Sequence, residues 1–132
     1  MEKTKAVFID DDEVFNFILS EIFNEANSTS SIEFKQVHTG KEGVEYLRNS
    51  VAEDCFPEYV IIDINIFDVG GERFLKIYEE EFHEKCPDTK VFILSKFNYD
   101  YDLPTQFPFV KKFIQKPLTM DELYLMKEEI MS

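Results

Sequence analysis

The sequence predicts an α/β domain in which helices cover both faces of a parallel sheet. Short apolar segments, typical of strands buried on both faces, alternate with segments whose apolar residues recur at helical spacing. Strands are predicted at residues 6–9, 34–38, 59–62, 91–94 and 110–114. This alternation favours parallel pairing, because each helix carries the chain back to the start of the next strand.

Helices are predicted between these strands and after the last one. The first three are predicted at residues 15–27, 40–47 and 74–86. The fourth interval, residues 97–109, carries five aromatic residues and two prolines, so a helix there should be short or distorted. A capping box formed by Thr119 and Glu122 opens a last helix that runs through Met131.

The composition narrows the class of partner. Acidic residues outnumber basic ones by 27 to 14, and the formal net charge is −13. Such a chain, without a basic stripe, is poorly suited to a phosphate backbone, so we expect no nucleic-acid partner. No apolar run approaches the length of a membrane span, and the N-terminus has no signal-peptide pattern. We therefore expect a soluble, cytoplasmic, single-domain protein that does not bind membranes.

Polar side chains follow four of the predicted strands at the point where each strand ends. They are Asp10–Asp12 after the first strand, Asp63 after the third, Ser95 after the fourth and Lys116 after the fifth. Alone, each has a plain explanation as a helix cap, loop, strand end or surface charge. In a parallel sheet, however, these ends share one edge, where open α/β sheets place their ligands. Asp68, Gly70 and Gly71 mark a loop after Asp63 that needs unusual backbone angles.

The acidic residues of this edge favour a metal ion. Two carboxylates about 4 Å apart repel each other by roughly 4 kcal/mol at an effective dielectric near 20. If Asp63 joins the acids of the first strand, the cluster calls for a cation, and oxygen ligands suit Mg²⁺ or Mn²⁺. A metal beside a carboxylate nucleophile, with the Ser95 hydroxyl and the Lys116 ammonium nearby, is suited to phosphoryl transfer.

Five short motifs occur in order along nearly the whole chain. They are Ile9-Asp10-Asp11-Asp12, Ile62-Asp63-Ile64-Asn65, Gly71, Leu94-Ser95 and Lys116-Pro117. Together they resemble the receiver domain of response regulators in two-component signalling. The resemblance implies a flavodoxin-like, doubly wound sheet of five parallel strands in the order 2-1-3-4-5, with about five helices. It also implies that residues 1–132 form one receiver domain without an output domain.

The resemblance assigns an acceptor and a metal site. Asp63 matches the phosphoacceptor of the family. Asp11 would bind Mg²⁺ or Mn²⁺ directly and Asp10 largely through water, while Asn65 would supply its backbone carbonyl and Asp63 would also be a ligand. The implied protein is a signalling domain and not a conventional enzyme, although such domains take part in their own phosphorylation and dephosphorylation.

The resemblance also assigns the groups that respond to the phosphoryl group. Ser95 matches the switch hydroxyl that moves toward it, and Lys116 matches the lysine that contacts it. Phe113 occupies the aromatic switch position, and Pro117 would follow a cis peptide bond.

The implied partners are proteins. A histidine kinase or a histidine phosphotransfer protein would donate the phosphoryl group from a phosphohistidine. A downstream target would bind the face between the fourth and fifth helices. We expect Tyr99, Tyr101 and Phe109 to contribute to an apolar partner face there, with core packing as the alternative for each residue.

Two positions depart from the family pattern. Phe67 stands where proline is usual in the loop after the acceptor, and Lys96 stands where a small residue usually follows the switch hydroxyl. A long cation at position 96 would narrow access to Asp63 or pair with its phosphoryl group. Together with the aromatic fourth segment, Lys96 would also suit a receiver fold that docks partners without phosphorylation.

A phosphatase of the haloacid-dehalogenase type also fits part of the sequence. Residues 8–14 match its DxDxV opening motif, with Asp10 as nucleophile and Asp12 as acid. That family needs a further acidic pair at a later strand end. The first acidic pair after Lys116 is Asp121–Glu122, which lies within a predicted helix that no strand precedes, and the phosphatase leaves Asp63 unexplained. We therefore favour the receiver.

Overall fold

Five parallel strands form one sheet at the centre of the protein. They are β1 (Thr4–Ile9), β2 (Ile32–Val37), β3 (Tyr59–Asp63), β4 (Lys90–Ser95) and β5 (Val110–Gln115). Their order across the sheet is β2-β1-β3-β4-β5, and every neighbouring pair is parallel. The structure, a computed structural model, describes residues 4–25, 32–96 and 103–131. The predicted α/β class and strand order are confirmed.

Helices connect the strands and pack on both faces of the sheet. They are α1 (Glu13–Glu25), α2 (Gly40–Ala52), α3 (Gly71–Tyr78), α4 (Leu103–Gln106) and α5 (Met120–Met131). A π-helical turn, Glu79–His83, continues α3. α4 has only 4 residues, as the prolines and aromatic residues of this interval predicted. Among the described residues, no helix is both long and apolar enough to cross a membrane.

The second helix is longer than the sequence predicted. Asn49 and Ser50 favoured a loop, but α2 continues to Ala52. The Ser50 hydroxyl donates to the carbonyl oxygen of Tyr46 at 2.8 Å, so its polar group is satisfied within the helix. A polar residue that bonds back to its own helix is compatible with a helix interior.

The sheet separates two hydrophobic cores, because side chains alternate between its faces along each strand. Val7, Val60 and Val91 face the core formed with α2 and α3. Phe8, Ile61 and Phe92 face the core formed with α1 and α5. All six side chains are buried. Burial on both faces explains why the central strands read as continuous apolar runs.

Of the three aromatic residues predicted to form a partner face after β4, the structure describes only Phe109. Phe109 is 7% exposed and stacks on Tyr78 with ring centroids 5.2 Å apart. The prediction that Phe109 contributes to a partner face is therefore wrong, and core packing, the alternative, accounts for it. Tyr99 and Tyr101 lie outside the described residues.

The helix beginnings near the sheet edge follow the expected capping chemistry. The Asp12 carboxylate accepts from the backbone N–H groups of Val14 and Phe15, both at 3.1 Å, and so caps α1. Thr119 and Glu122 exchange hydrogen bonds of 3.0 and 3.1 Å, which confirms the capping box before α5.

The loop after β3 depends on two adjacent glycines for different reasons. Gly70 has φ +83°, which favours glycine, but a Cβ there would meet nothing within 4 Å. A Cβ on Gly71 would lie 2.5 Å from both the Cα and the carbonyl oxygen of Ile64. The Gly71 N–H donates to that carbonyl oxygen at 2.9 Å. Close backbone approach, and not backbone angle, therefore excludes a side chain at position 71.

We predict unequal effects for alanine at these two positions. Gly71→Ala should lower the free energy of unfolding by about 3 kcal/mol, because backbone must move to admit the methyl group. Gly70→Ala should lower it by about 1 kcal/mol, the cost of a left-handed alanine. Urea unfolding of both variants measures the difference. Equal losses would contradict the close approach at Gly71.

Candidate functional site

The ends of four strands bring polar side chains together at one edge of the sheet. In register, Ile9 pairs with Ile62, Asp63 with Leu94, and Ser95 with Gln115. The residues at these strand ends and directly after them therefore lie at one edge of the sheet. Asp10 and Asp63 are each 1% exposed, Ser95 is 0% exposed and Lys116 is 8% exposed. Asp10, Asp63 and Lys116 thus lie together and buried, and Ser95 is buried at the end of β4.

Lys116 lies at the centre of this cluster. Its Nζ donates to Asp10 Oδ2 at 2.7 Å and to Asp63 Oδ2 at 2.9 Å. Asp12 Oδ2 is 3.8 Å away, and the centroid of the Phe15 ring is 4.2 Å away. One ammonium thus bridges the carboxylates of two strands and rests on an aromatic face.

Burial and charge act in opposite directions on the pKa values of this cluster. Burial raises the pKa of Asp10 to about 6, although the hydrogen bond from Lys116 partly offsets this rise. Burial alone would lower the pKa of Lys116, but its hydrogen bonds and charge interactions with Asp10 and Asp63 raise it. The ammonium therefore stays protonated, while Asp10 titrates close to neutrality.

The carboxylates suit a divalent cation. Asp10, Asp11 and Asp63 each offer an oxygen, and these oxygens all lie within 4.8 Å of one another. Two of these side chains are buried and Asp11 is exposed, so the group is open to solvent on one side. An all-oxygen set that carries more negative than positive charge fits Mg²⁺ or Mn²⁺.

Asn65 links the end of β3 to the chain that follows β4. Its backbone N–H donates to Asp63 Oδ1 at 2.7 Å. Its side-chain Oδ1 accepts from the backbone N–H of Lys96 at 3.0 Å. Both carboxylate oxygens of Asp63 therefore have a donor, one from Asn65 and one from Lys116.

The other predicted residues occupy the positions that the strands give them. The carbonyl oxygen of Ser95 accepts from the backbone N–H of Lys116 at 2.7 Å. Phe113 pairs with Ile93 and is partly buried against the core on the α2 and α3 side. The Lys116–Pro117 peptide bond is cis, as expected.

The two positions that depart from the receiver pattern, Phe67 and Lys96, both lie beside the carboxylate cluster. The Phe67 side chain is 96% exposed, while its backbone N–H donates to Asp11 Oδ2 at 3.1 Å. Lys96 lines a groove of about 390 Å³ together with Asp12 and Lys116. A cation at position 96 thus stands beside the cluster.

Two residues near the site were missed from the sequence. Phe15 was assigned to the core by its helical spacing, and it does pack there, but its ring also contacts Lys116. Asn16 is buried, and its Nδ2 donates to the Asp10 carbonyl oxygen at 2.7 Å. An asparagine within an otherwise apolar helix turn was the signal that could have identified it.

The acidic pair that the phosphatase alternative would use, Asp121 and Glu122, does not lie at this edge. Asp121 and Glu122 lie in the first turn of α5, where both are exposed, and Glu122 belongs to the capping box. The structure places neither residue at a strand end.

We predict that Lys116→Met destabilises the metal-free protein in a pH-dependent manner. Removing the ammonium leaves two buried carboxyl groups unpaired and should lower the free energy of unfolding by about 3 kcal/mol at pH 7.5. The pKa of Asp10 is already raised to about 6 in the folded protein. Ionisation of Asp10 therefore opposes folding once the pH rises above the pKa that this residue has in the unfolded chain. The loss should therefore be smaller at pH 5.

Urea unfolding in the presence of a chelator at both pH values measures this effect. Lys112→Met is the matched control, because Lys112 lies in β5, the strand that leads to Lys116, and pairs with Glu129 at the surface. Its loss should be below about 1 kcal/mol at either pH. If Lys116→Met lowers the free energy of unfolding equally at both pH values, the loss does not come from ionised carboxylates, and the prediction is wrong.

The fold resembles solved structures of one class. The two-component response regulator from Cytophaga hutchinsonii has a TM-score of 0.79 and 22% identity, with 98% of each chain covered. The phosphorylated cyanobacterial phytochrome response regulator RcpA has a TM-score of 0.76 and 22% identity, covering 97% of this chain and 91% of that one. The Mn²⁺-bound response regulator Rcp1 has a TM-score of 0.69 and 16% identity, covering 96% and 91%.

Comparisons of sequence add no family assignment. No family model matches the chain, and no match was found among curated proteins. The similarity is therefore carried by the three-dimensional arrangement, which extends over almost the full length of both chains. This chain has the fold of response-regulator receiver domains.

Proposed function

We propose that this protein is a single-domain response regulator of the cytoplasm that accepts a phosphoryl group on Asp63. The donor would be a phosphohistidine on a histidine kinase or a histidine phosphotransfer protein. Signalling would follow from a conformational switch and from binding of a downstream protein. The protein would thus act as a signalling domain that takes part in its own phosphorylation and dephosphorylation, and not as a conventional enzyme.

The observation that carries this proposal is that the Asp63 carboxylate is buried and hydrogen-bonded at both oxygens. It is buried at a strand end, and Asn65 and Lys116 hold its two oxygens at 2.7 and 2.9 Å. A carboxylate fixed in this way loses little orientational freedom on reaction, which favours attack on a group delivered to the open edge. The exposed neighbour Asp11 marks the side from which a donor could approach.

The proposed reaction transfers one phosphoryl group between two side chains. An Asp63 oxygen attacks phosphorus, the bond from phosphorus to the donor nitrogen breaks, and its electron pair returns to the imidazole. The product is an acyl phosphate on Asp63. Lys116, already within hydrogen-bond distance of Asp63, would neutralise charge on the phosphoryl oxygens.

A divalent cation would assist this transfer. Asp10, Asp11, Asp63 and the backbone carbonyl of Asn65 would hold Mg²⁺ or Mn²⁺, which would supply Lewis-acid stabilisation of phosphoryl charge. The carboxylate oxygens within 4.8 Å of one another support this assignment. So does the related fold of Rcp1, which was solved with Mn²⁺ bound.

Ser95 and Phe113 would carry the signal away from the acceptor. Ser95 is buried at the end of β4, where a small shift would bring its hydroxyl toward Asp63. Phe113 lies in the neighbouring strand, two residues before Gln115, which pairs with Ser95. The target would bind the face between α4 and α5, and the Leu125 side chain of α5 is 63% exposed.

We predict that incubation with phosphoramidate and Mg²⁺ adds one labile phosphoryl group, detected by intact-protein mass. Phosphoramidate presents the same kind of phosphorus–nitrogen bond as phosphohistidine. The adduct should be absent from Asp63→Asn and should be lost when a chelator removes the metal. Asp121→Asn is the matched control, because it makes the same chemical change on an exposed turn of α5, and it should be phosphorylated like the parent.

Two outcomes would contradict the proposal. An adduct of equal yield on Asp63→Asn would place the phosphoryl group elsewhere. Absence of any adduct from the parent, with phosphoramidate or a phosphohistidine protein, would favour the phosphorylation-independent docking module.

A further inference from the structure

We propose that Asp68 is a positioning residue for the acceptor site, because its carboxylate holds the loop after β3 against the first turn of α2. We call this contact the α2 clamp, formed by Asp68 with the backbone N–H groups of Gly40 and Lys41. Its geometry stands by itself. Its role in positioning a metal-binding loop rests on the function proposed above.

The clamp joins parts of the chain that are distant in sequence. Asp68 Oδ1 accepts from the Gly40 N–H at 2.9 Å, and Asp68 Oδ2 accepts from the Lys41 N–H at 3.0 Å. The separation in sequence is 28 and 27 residues. A carboxylate at a helix N-terminus is favoured by the unpaired N–H groups and by the helix dipole.

Asp68 is not needed as the ordinary cap of this helix. Thr39 already fills that role, since its Oγ1 accepts from the Glu42 N–H at 3.0 Å. The two caps divide the first turn of α2 between them. Only the cap from Asp68 connects the helix to the loop after the acceptor.

Beneath the clamp, Gly40 of α2 packs closely against the loop after β3. A Cβ on Gly40 would lie 2.7 Å from Cδ1 of Ile66 and 2.9 Å from Cβ of Val69. Helix and loop therefore meet without room for a side chain at position 40. A methyl group there would force them apart, which offers a second way to open the clamp without altering Asp68.

The clamped loop carries backbone groups that bond the proposed metal ligands. The Asn65 N–H donates to Asp63 Oδ1, and the Phe67 N–H donates to Asp11 Oδ2. These two donors occupy the short segment between Asp63 and Asp68. With Asp63 fixed by β3 and Asp68 fixed by α2, the segment is held at both ends.

The charge state of Asp68 agrees with this geometry. Burial acts to raise the pKa of its carboxyl, but the backbone hydrogen bonds that it accepts, led by those from Gly40 and Lys41, together lower it. The clamp therefore contains an ionised carboxylate at neutral pH. Its contribution to stability is present above the unfolded pKa and is lost as the pH falls through the folded value.

Amide hydrogen exchange of the Asn65, Phe67 and Gly71 N–H groups tests whether the clamp holds the loop. We predict exchange about tenfold faster in Asp68→Ala and in Gly40→Ala, because the loop then opens more often. Thr39→Ala is the matched control, since it removes a cap from the same helix turn without touching the loop. Its exchange at these three amides should equal that of the parent.

Calorimetric titration of the same proteins with Mn²⁺ tests whether the clamp positions the metal ligands. We predict binding about tenfold weaker in Asp68→Ala and Gly40→Ala, the size expected when an outer support of a metal site is lost. Thr39→Ala should bind Mn²⁺ like the parent. Asp68→Asn, which keeps one acceptor oxygen, should lie between the parent and Asp68→Ala.

Each contrary result has a distinct meaning. Equal effects of Thr39→Ala and Asp68→Ala would overturn the inference, because the carboxylate would then act only as a helix cap. Faster exchange with unchanged Mn²⁺ affinity would also overturn it, because the clamp would then be purely structural. If the parent itself does not bind Mn²⁺, the proposed metal site fails, and amide exchange alone decides whether the clamp holds the loop.

Discussion

The ion cluster of Asp10, Lys116 and Asp63 is the constraint on which the carboxyl edge of the sheet depends. Two carboxylates and one ammonium are buried there, with bonds of 2.7 and 2.9 Å joining the ends of β1, β5 and β3. Buried charges of one sign would repel and would be poorly solvated, so the ammonium is required where no metal is bound. The excess of carboxylates over ammonium makes the edge receptive to a cation.

The rest of the fold holds this buried cluster at the carboxyl edge of the sheet, beside the exposed Asp11. Cores on both sides of the sheet fix the strand ends, so that residues far apart in sequence meet in register. The loop after β3 then borders the site, held by its own glycines and by Asp68. Rigid strands thus carry the buried polar groups, while the loop held by Asp68 borders them.

Prediction from sequence succeeded where the pattern was local. Apolar runs identified the central strands, because burial on both faces leaves no polar position to interrupt them. Pro104 and its aromatic neighbours correctly indicated a short fourth helix. The same aromatic content misled at Phe109, because composition does not distinguish a ring that stacks on Tyr78 from one that faces a partner.

The sequence by itself determined the class of the fold and the set of polar residues at the strand ends. Both follow from the local pattern of apolar and polar residues along the chain, which identifies each strand and the point where it ends. Only the tertiary structure decided which of these groups touch. Lys116 bonds carboxylates 106 and 53 residues away, and Asp68 caps a helix that precedes it by 28 residues. Such contacts depend on how separate segments pack, and no local pattern in the chain encodes that packing.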